Sequence, residues 1–225
     1  MIHIEHLSKS FGAKKVLENL SISFGAGRAY GIVGENGAGK TTFFRCIGGL
    51  ETHSGRVTCA YGKLKDRLGF LPTEPFFFAR MTGREYLQLL CNARGLGQQD
   101  FNEKNVFDLP LEQYAVHYST GMKKKLALMG ILLQQNDFFI LDEPFNGVDI
   151  QSNMLITEII LRLKSLGKSV VISSHILSTL SDTCDEIHLL KNGHFEKKVL
   201  KEGFAALAGE MREVNIAGKI ERLGL

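Results

Sequence analysis

The chain has 225 residues, 44% of them hydrophobic, and a formal net charge of +3. That length supports one large domain, or a core with a smaller subdomain, without disulfide or metal staples, and the charge is too small to imply a nucleic-acid partner by itself. No apolar run approaches the ~20 residues that span a bilayer, and Met1-Ile2-His3-Ile4-Glu5 lacks the basic-then-apolar layout of a signal peptide, so a cytosolic chain is expected.

From Ile2 to about Val57, short β-like runs (Ile2-His3-Ile4, Leu20-Ser21-Ile22-Ser23-Phe24) alternate with glycine-rich turns, which predicts a sheet-rich beginning. His3 and His6 lie three apart on an extended segment with no acid or cysteine cluster beside them, and receive no metal role. Within this stretch Arg28-Ala29-Tyr30-Gly31-Ile32-Val33 suits a buried strand, and Thr42-Phe43-Phe44-Arg45-Cys46-Ile47 opens a helix. Between them stand Gly34, Glu35, Asn36, Gly37, Ala38, Gly39, Lys40 and Thr41, a complete P-loop with Thr42 directly behind it. The glycines let consecutive N–H groups turn inward around phosphate oxygens, and a helix starting near Gly39 adds the positive end of its dipole. Lys40 is placed to reach the β and γ phosphates and the Thr41 hydroxyl to ligate Mg²⁺. The order of strand, loop and helix makes a nucleoside triphosphate the expected ligand.

Residues 75–114 change character. Thr82 to Leu90 has helical spacing and a turn falls at Gly95 to Gly97, so an inserted helical subdomain is expected there. Lys123-Lys124-Lys125 is the one compact basic run and reads as a solvated helix face. Alternation then resumes: Phe138-Phe139-Ile140-Leu141 and Ser169-Val170-Val171-Ile172 are continuous apolar runs of the kind found in parallel strands buried on both faces, with a helix from about Ile150 to Leu166 between them. Asp142 and Glu143 follow the first run, at the strand edge where α/β sheets gather ligands. Asp142 is the candidate Mg²⁺ holder, and Glu143 the candidate to orient or deprotonate an attacking water. Residues 201–225 contain one short helix around Phe204 to Met211. Cys46, Cys59, Cys91 and Cys184 have no C-x-x-C spacing, which suits reduced, mostly buried thiols.

At this point the residues resemble the nucleotide-binding subunits of ATP-binding cassette (ABC) transporters. Tyr118-Ser119-Thr120-Gly121-Met122-Lys123 looks like the signature sequence, Asn146-Gly147-Val148-Asp149 like the D-loop, and Ser173-Ser174-His175 like the switch-histidine loop. Phe11 stands where the family stacks an aromatic on adenine. The resemblance runs from about Ile2 to Val199. It implies an α/β fold: a P-loop NTPase core of ABC ATPase type with an N-terminal antiparallel β region and an inserted helical subdomain. The expected organisation is one domain over residues 1–225, with 1–74 and 115–200 as ATPase core, 75–114 as helical subdomain and 201–225 as a tail.

The resemblance also implies mechanism. Ser119, Thr120, Gly121 and Met122 form a second anion site at the start of a helix, and one chain cannot easily present it and the P-loop to one γ-phosphate. The family's answer is a head-to-tail dimer, homomeric or heteromeric, in which the signature of one subunit closes on ATP held by the other. Asp149 is carried over as the D-loop acid, and Lys40, Glu143 and His175 as the catalytic group. Two features depart from the pattern. The residue aligned with the usual Q-loop glutamine is Thr73, with Glu74 immediately after it as the alternative metal ligand, and Phe76-Phe77-Phe78 either docks a partner helix or packs the subdomain. The expected function is an Mg²⁺-dependent, export-type ATPase that drives a separately encoded transmembrane permease from the cytoplasmic face of the membrane. The rival readings are a soluble ABC-type ATPase acting on ribosomes or DNA, and a nucleotide-switch regulatory cassette. Chemistry of the cargo belongs to the permease and is not legible here.

Overall fold

The computed structural model describes residues 1–60 and 62–212. Its first layer is an antiparallel sheet in the order β2-β1-β4, made of β1 (Ile2–Phe11), β2 (Lys14–Phe24) and β4 (Ser54–Cys59). These strands are longer than the short runs read from the sequence, because irregularities at positive φ carry the chain through polar stretches: His6 at 51° in β1 and Asn19 at 55° in β2. Each interrupts the strict alternation on which a sequence reading depends.

The second layer is a six-stranded sheet in the order β5-β6-β7-β3-β8-β9. Its strands are β3 (Ala29–Val33), β5 (Leu68–Leu71), β6 (Phe138–Asp142), β7 (Ser169–Ser174), β8 (Glu186–Lys191) and β9 (His194–Leu200). Neighbours from β5 through β8 run parallel, and β9 closes the edge antiparallel to β8. Every residue of β3, β6 and β7 is buried, as expected of strands covered on both faces. Alternate side chains feed two separate cores: Tyr30, Ile32, Phe138, Ile140 and Val171 pack toward the antiparallel sheet and helix α1 (Lys40–Ile47), while Phe139, Leu141, Val170 and Ile172 pack toward the helices on the other face.

Residues 75–114 contain one α-helix among the described elements, α2 (Gly83–Asn92), started by a capping box between Thr82 and Glu85. Its cover is α3 (Thr120–Leu133), which enters from beyond that segment. At Gly130 a Cβ would stand 2.3 Å from Leu90 Cδ1, so glycine allows the close approach. The remaining α-helices among the described residues are α4 (Ile150–Ser165), α5 (Ser178–Ser181) and α6 (Phe204–Arg212). The expected tail of residues 201–225 lies within the described residues only as far as 212.

The basic run 123–125 is not the solvated face read from the sequence. Lys124 is 2% exposed and Lys125 is partly buried in an ion pair with Asp149, because α3 lays this turn against the loop after β6. The aromatic triplet divides by position: Phe77 is buried against Tyr86, with ring centroids 4.7 Å apart, while Phe76 and Phe78 are exposed and meet each other edge to face at 5.3 Å. All four cysteines are free thiols, and burial pushes Cys46 up to about 11 and Cys184 up to about 12.

Candidate active site

The strand order brings the carboxyl ends of β6, β7 and β3 side by side, with Asp142 paired to Ser173 across β6 and β7, and Val33 paired to Ser174 across β3 and β7. Segments separated by more than a hundred residues thereby share one sheet edge. The loop after β3 turns on Gly37 (φ 85°) and Gly39 (φ 109°), and Gly39 is the N-cap of α1. That helix has no side-chain cap, so its first amides are left to an external acceptor. Lys40 Nζ donates to Gly34 O at 2.7 Å and Glu35 O at 3.3 Å, which folds the loop over its own lysine. Ala38 N donates to Glu35 O at 3.1 Å and closes the turn.

Asp142, fully buried, gathers three hydroxyls. Thr41 Oγ1 donates to Oδ2 at 2.7 Å, Thr73 Oγ1 donates to the same oxygen at 2.6 Å, and Ser173 Oγ donates to Oδ1. Glu143 follows with a left-handed backbone, φ 52°, a conformation that costs a non-glycine residue energy and persists only where its surroundings enforce it. Part of the enforcement is Ser173, whose Oγ accepts from Glu143 N at 2.9 Å. The Glu143 carboxylate is held between two cleft residues: Oε1 lies 3.6 Å from Lys40 Nζ and Oε2 lies 2.9 Å from His175 Nδ1.

These groups border a cleft of about 480 Å³ lined by Asn36, Gly37, Gly39, Lys40, Thr41, Thr42, Thr73, Glu143 and His175, together with Lys14, Val16 and Asn146. Lys14 and Val16 carried no site assignment in the sequence reading, and Asn146 and Ser173 entered it only as the first residues of the D-loop-like and switch-histidine-like segments. Their places at the cleft depend on which strands neighbour one another. The cluster of Thr41, Thr73 and Asp142 is a set of hard oxygen donors, the chemistry that suits a small divalent cation. Glu74, the alternative to Thr73, is not among the residues that line the cleft.

Other candidates are not among the residues that line the cleft. Phe11 lies at the far end of β1, 49% exposed, with Lys9 Nζ 4.6 Å above its ring. Ser119 caps α3, accepting from Met122 N at 3.2 Å; Ser119 and Thr120 are exposed, whereas Gly121 is buried so close to the next loop that a Cβ would meet Gly147 O at 2.6 Å. Asp149 caps α4, accepting from Ser152 N at 2.9 Å. That amide, the Ser152 hydroxyl and Lys125 hold its carboxyl well below the usual carboxylate range. None of Ser119, Thr120, Gly121, Met122 or Asp149 lines the cleft of its own chain.

A parallel sheet with a P-loop on one strand and an acid pair on a near neighbour defines a P-loop nucleoside-triphosphatase core. The family model described as ABC transporter matches residues 17–146, more than half of the chain, and the chain belongs to that family. It is 30% identical to an uncharacterized ABC transporter ATP-binding protein of Methanocaldococcus jannaschii, over 85% of this chain and 74% of that one. It is 31% identical to a bacitracin transport ATP-binding protein of Enterococcus faecalis, over 88% of this chain and 69% of that one. Among solved structures, the ATP-binding subunit of an ABC transporter superposes with a TM-score of 0.81 at 26% identity, covering 93% of each chain.

Proposed function

We propose that this chain is an ATP-hydrolysing, export-type subunit that works as a dimer on a separately encoded transmembrane permease, with residues 1–74 and 115–200 as its catalytic core, 75–114 as an inserted helical part and 201–225 as a tail. The observation that carries the reading is the convergence of Lys40, Glu143 and His175 in a cleft whose floor is Asp142 with its threonine hydroxyls. The P-loop residues Gly34 to Thr42 bind the triphosphate through backbone amides and the Lys40 ammonium. Thr41, Asp142 and Thr73 would hold Mg²⁺, which when bound supplies charge neutralisation at the phosphates. Glu143 takes the proton of the attacking water, and His175 orients the Glu143 carboxylate through its Nδ1 contact. Lys14 and Val16 border the nucleotide side of the cleft, and Phe11, at the end of the same hairpin, serves the adenine.

Ser119, Thr120, Gly121 and Met122 lie on another surface of the same chain, which supports a site completed by a second subunit. The exposed Phe76 and Phe78 pair suits contact with a permease, and through that contact the chain works at the cytoplasmic face of a membrane.

Glu143→Gln tests the reading, because the amide keeps the shape of the side chain but cannot act as a base. With ATP and Mg²⁺ the variant binds nucleotide, does not turn it over and accumulates as a dimer on size-exclusion chromatography. Lys40→Ala abolishes both binding and turnover. A Glu143→Gln protein that stays monomeric over a wide concentration range would sink the composite-site assignment.

A further inference from the structure

Lys124 presents a physical contradiction unless it has a specific task. Its side chain is 2% exposed on a helix that otherwise buries Leu126, Ala127, Leu128 and Met129, and an apolar residue would pack there without the cost of taking an ammonium out of water. The ammonium nevertheless has two partners for its three donors. It donates to Glu143 O at 2.7 Å and to Asn146 O at 2.9 Å, while Asn146 N donates to Glu143 O at 3.3 Å. One cation thus bridges both ends of the turn that starts with the strained residue Glu143 and ends with Asn146 on the cleft wall. Burial pulls the Lys124 pKa down, and the carboxylates of Glu143, Asp142 and Glu74 oppose that fall.

The contact belongs to a series along one helix. Gly121 sits against Gly147 O, Lys124 holds Glu143 and Asn146, and Lys125 pairs with Asp149 at 3.1 Å. The first two turns of α3 therefore grip the loop 143–149 from its cleft end to the start of α4. Lys124 and the Gly121 contact thus give Ser119 to Met122 a direct physical connection to the backbone of Glu143.

We infer that Lys124 is a positioning residue for hydrolysis: its ammonium pins the carbonyls of Glu143 and Asn146, fixes the backbone that aims the Glu143 carboxylate into the cleft, and links that aim to α3. The inference rests on the ATPase reading above. It predicts an effect on turnover that spares nucleotide binding, because Lys124 makes no hydrogen bond to the P-loop and does not itself line the cleft, reaching it only through the backbone carbonyls of Glu143 and Asn146.

Steady-state ATPase kinetics, binding of a fluorescent ATP analogue and thermal melting of the full chain test it in wild type, Lys124→Met and Lys124→Gln. In Lys124→Met, kcat falls about 10- to 100-fold, the scale of a roughly 1 Å misplacement of a catalytic group, with KM and nucleotide affinity within about twofold of wild type, the pattern of an interaction lost only in the transition state. Lys124→Gln keeps a donor nitrogen, uncharged and on a shorter stem, and recovers part of the turnover. A folded Lys124→Met protein with wild-type kcat overturns the inference, as does a parallel loss of kcat and nucleotide affinity. If Lys124→Met does not fold, Lys124→Gln decides: lowered kcat at unchanged KM supports the role and wild-type kcat overturns it. A wild-type chain that binds but never hydrolyses ATP would instead overturn the proposed function.

Discussion

His175 Nδ1 lies 2.9 Å from Glu143 Oε2, so the residue after β7 directly orients the carboxylate after β6. With Lys40 Nζ 3.6 Å from the other oxygen, the carboxylate is restrained from both sides. Replacing His175 with alanine removes one restraint without touching the P-loop. Turnover falls by about 10²-fold, the lower end of the effect of a positioned acid–base group, and nucleotide binding persists. Kinetics paired with a nucleotide titration check this; wild-type turnover in His175→Ala would make the contact incidental.

Thr73 shares Asp142 Oδ2 with Thr41, and Glu74 does not line the cleft. Thr73→Val removes the hydroxyl and raises the Mg²⁺ concentration for half-maximal activity about fivefold, the equivalent of one hydrogen bond of ~1 kcal/mol. Glu74→Ala leaves that midpoint unchanged. Titration of Mg²⁺ against ATPase activity separates the two residues, and a shift in Glu74→Ala alone would reassign the role.

The aromatic triplet divides into a structural residue and a surface pair. Phe77→Ala opens a cavity beside Tyr86 and destabilises the chain by about 3–5 kcal/mol. Ser in place of Phe76 or Phe78 changes stability by about 1 kcal/mol or less, yet lowers copurification with the permease while basal ATPase activity survives. Denaturant melts and pull-down from co-expressing cells read the two effects. Unimpaired copurification of the Phe76→Ser, Phe78→Ser double variant would remove the docking role.

A second buried ionic cluster sets a pH dependence of stability. His188 Nε2 lies 2.6 Å from Glu186 Oε1, with Lys198 Nζ 2.9 Å from the same oxygen and Arg28 3.5 Å from Oε2. Burial lowers the His188 pKa below its ordinary 6.5, against the raising effect of Glu186. The unfolded chain therefore takes up this proton first as pH falls, so the contribution of neutral His188 is complete above 6.5 and is lost below it. Glu186 is also depressed: burial pushes it up, but Lys198 and His188 outweigh that, and its contribution is lost further down, below its ordinary 4.5. Melting temperature thus declines as pH drops from 7 to 5, and His188→Gln flattens the decline. Identical pH profiles in the two proteins would remove His188 as the cause.

Much of the site was legible because its signals are contiguous in the chain. A strand, a glycine loop and a helix start within the stretch from Ala29 to Ile47, and Asp142-Glu143 directly follows the apolar run of β6; phosphate binding and acid–base chemistry require those local orders whatever surrounds them. The approach of Thr73 to Asp142 was not legible locally. It follows from β5 lying beside β6 with Leu71 opposite Leu141, which carries Thr73 to Asp142. Ser173 reaches Asp142 for the same reason, through the pairing of β6 with β7. Phe77 and its neighbours are chemically identical, so only packing could assign one to the core and two to the surface. Lys124 was misread because a lysine in a basic run is ordinarily solvated. Burial came from the tertiary approach of α3 to the loop after β6, where two backbone carbonyls take the place of water around its ammonium.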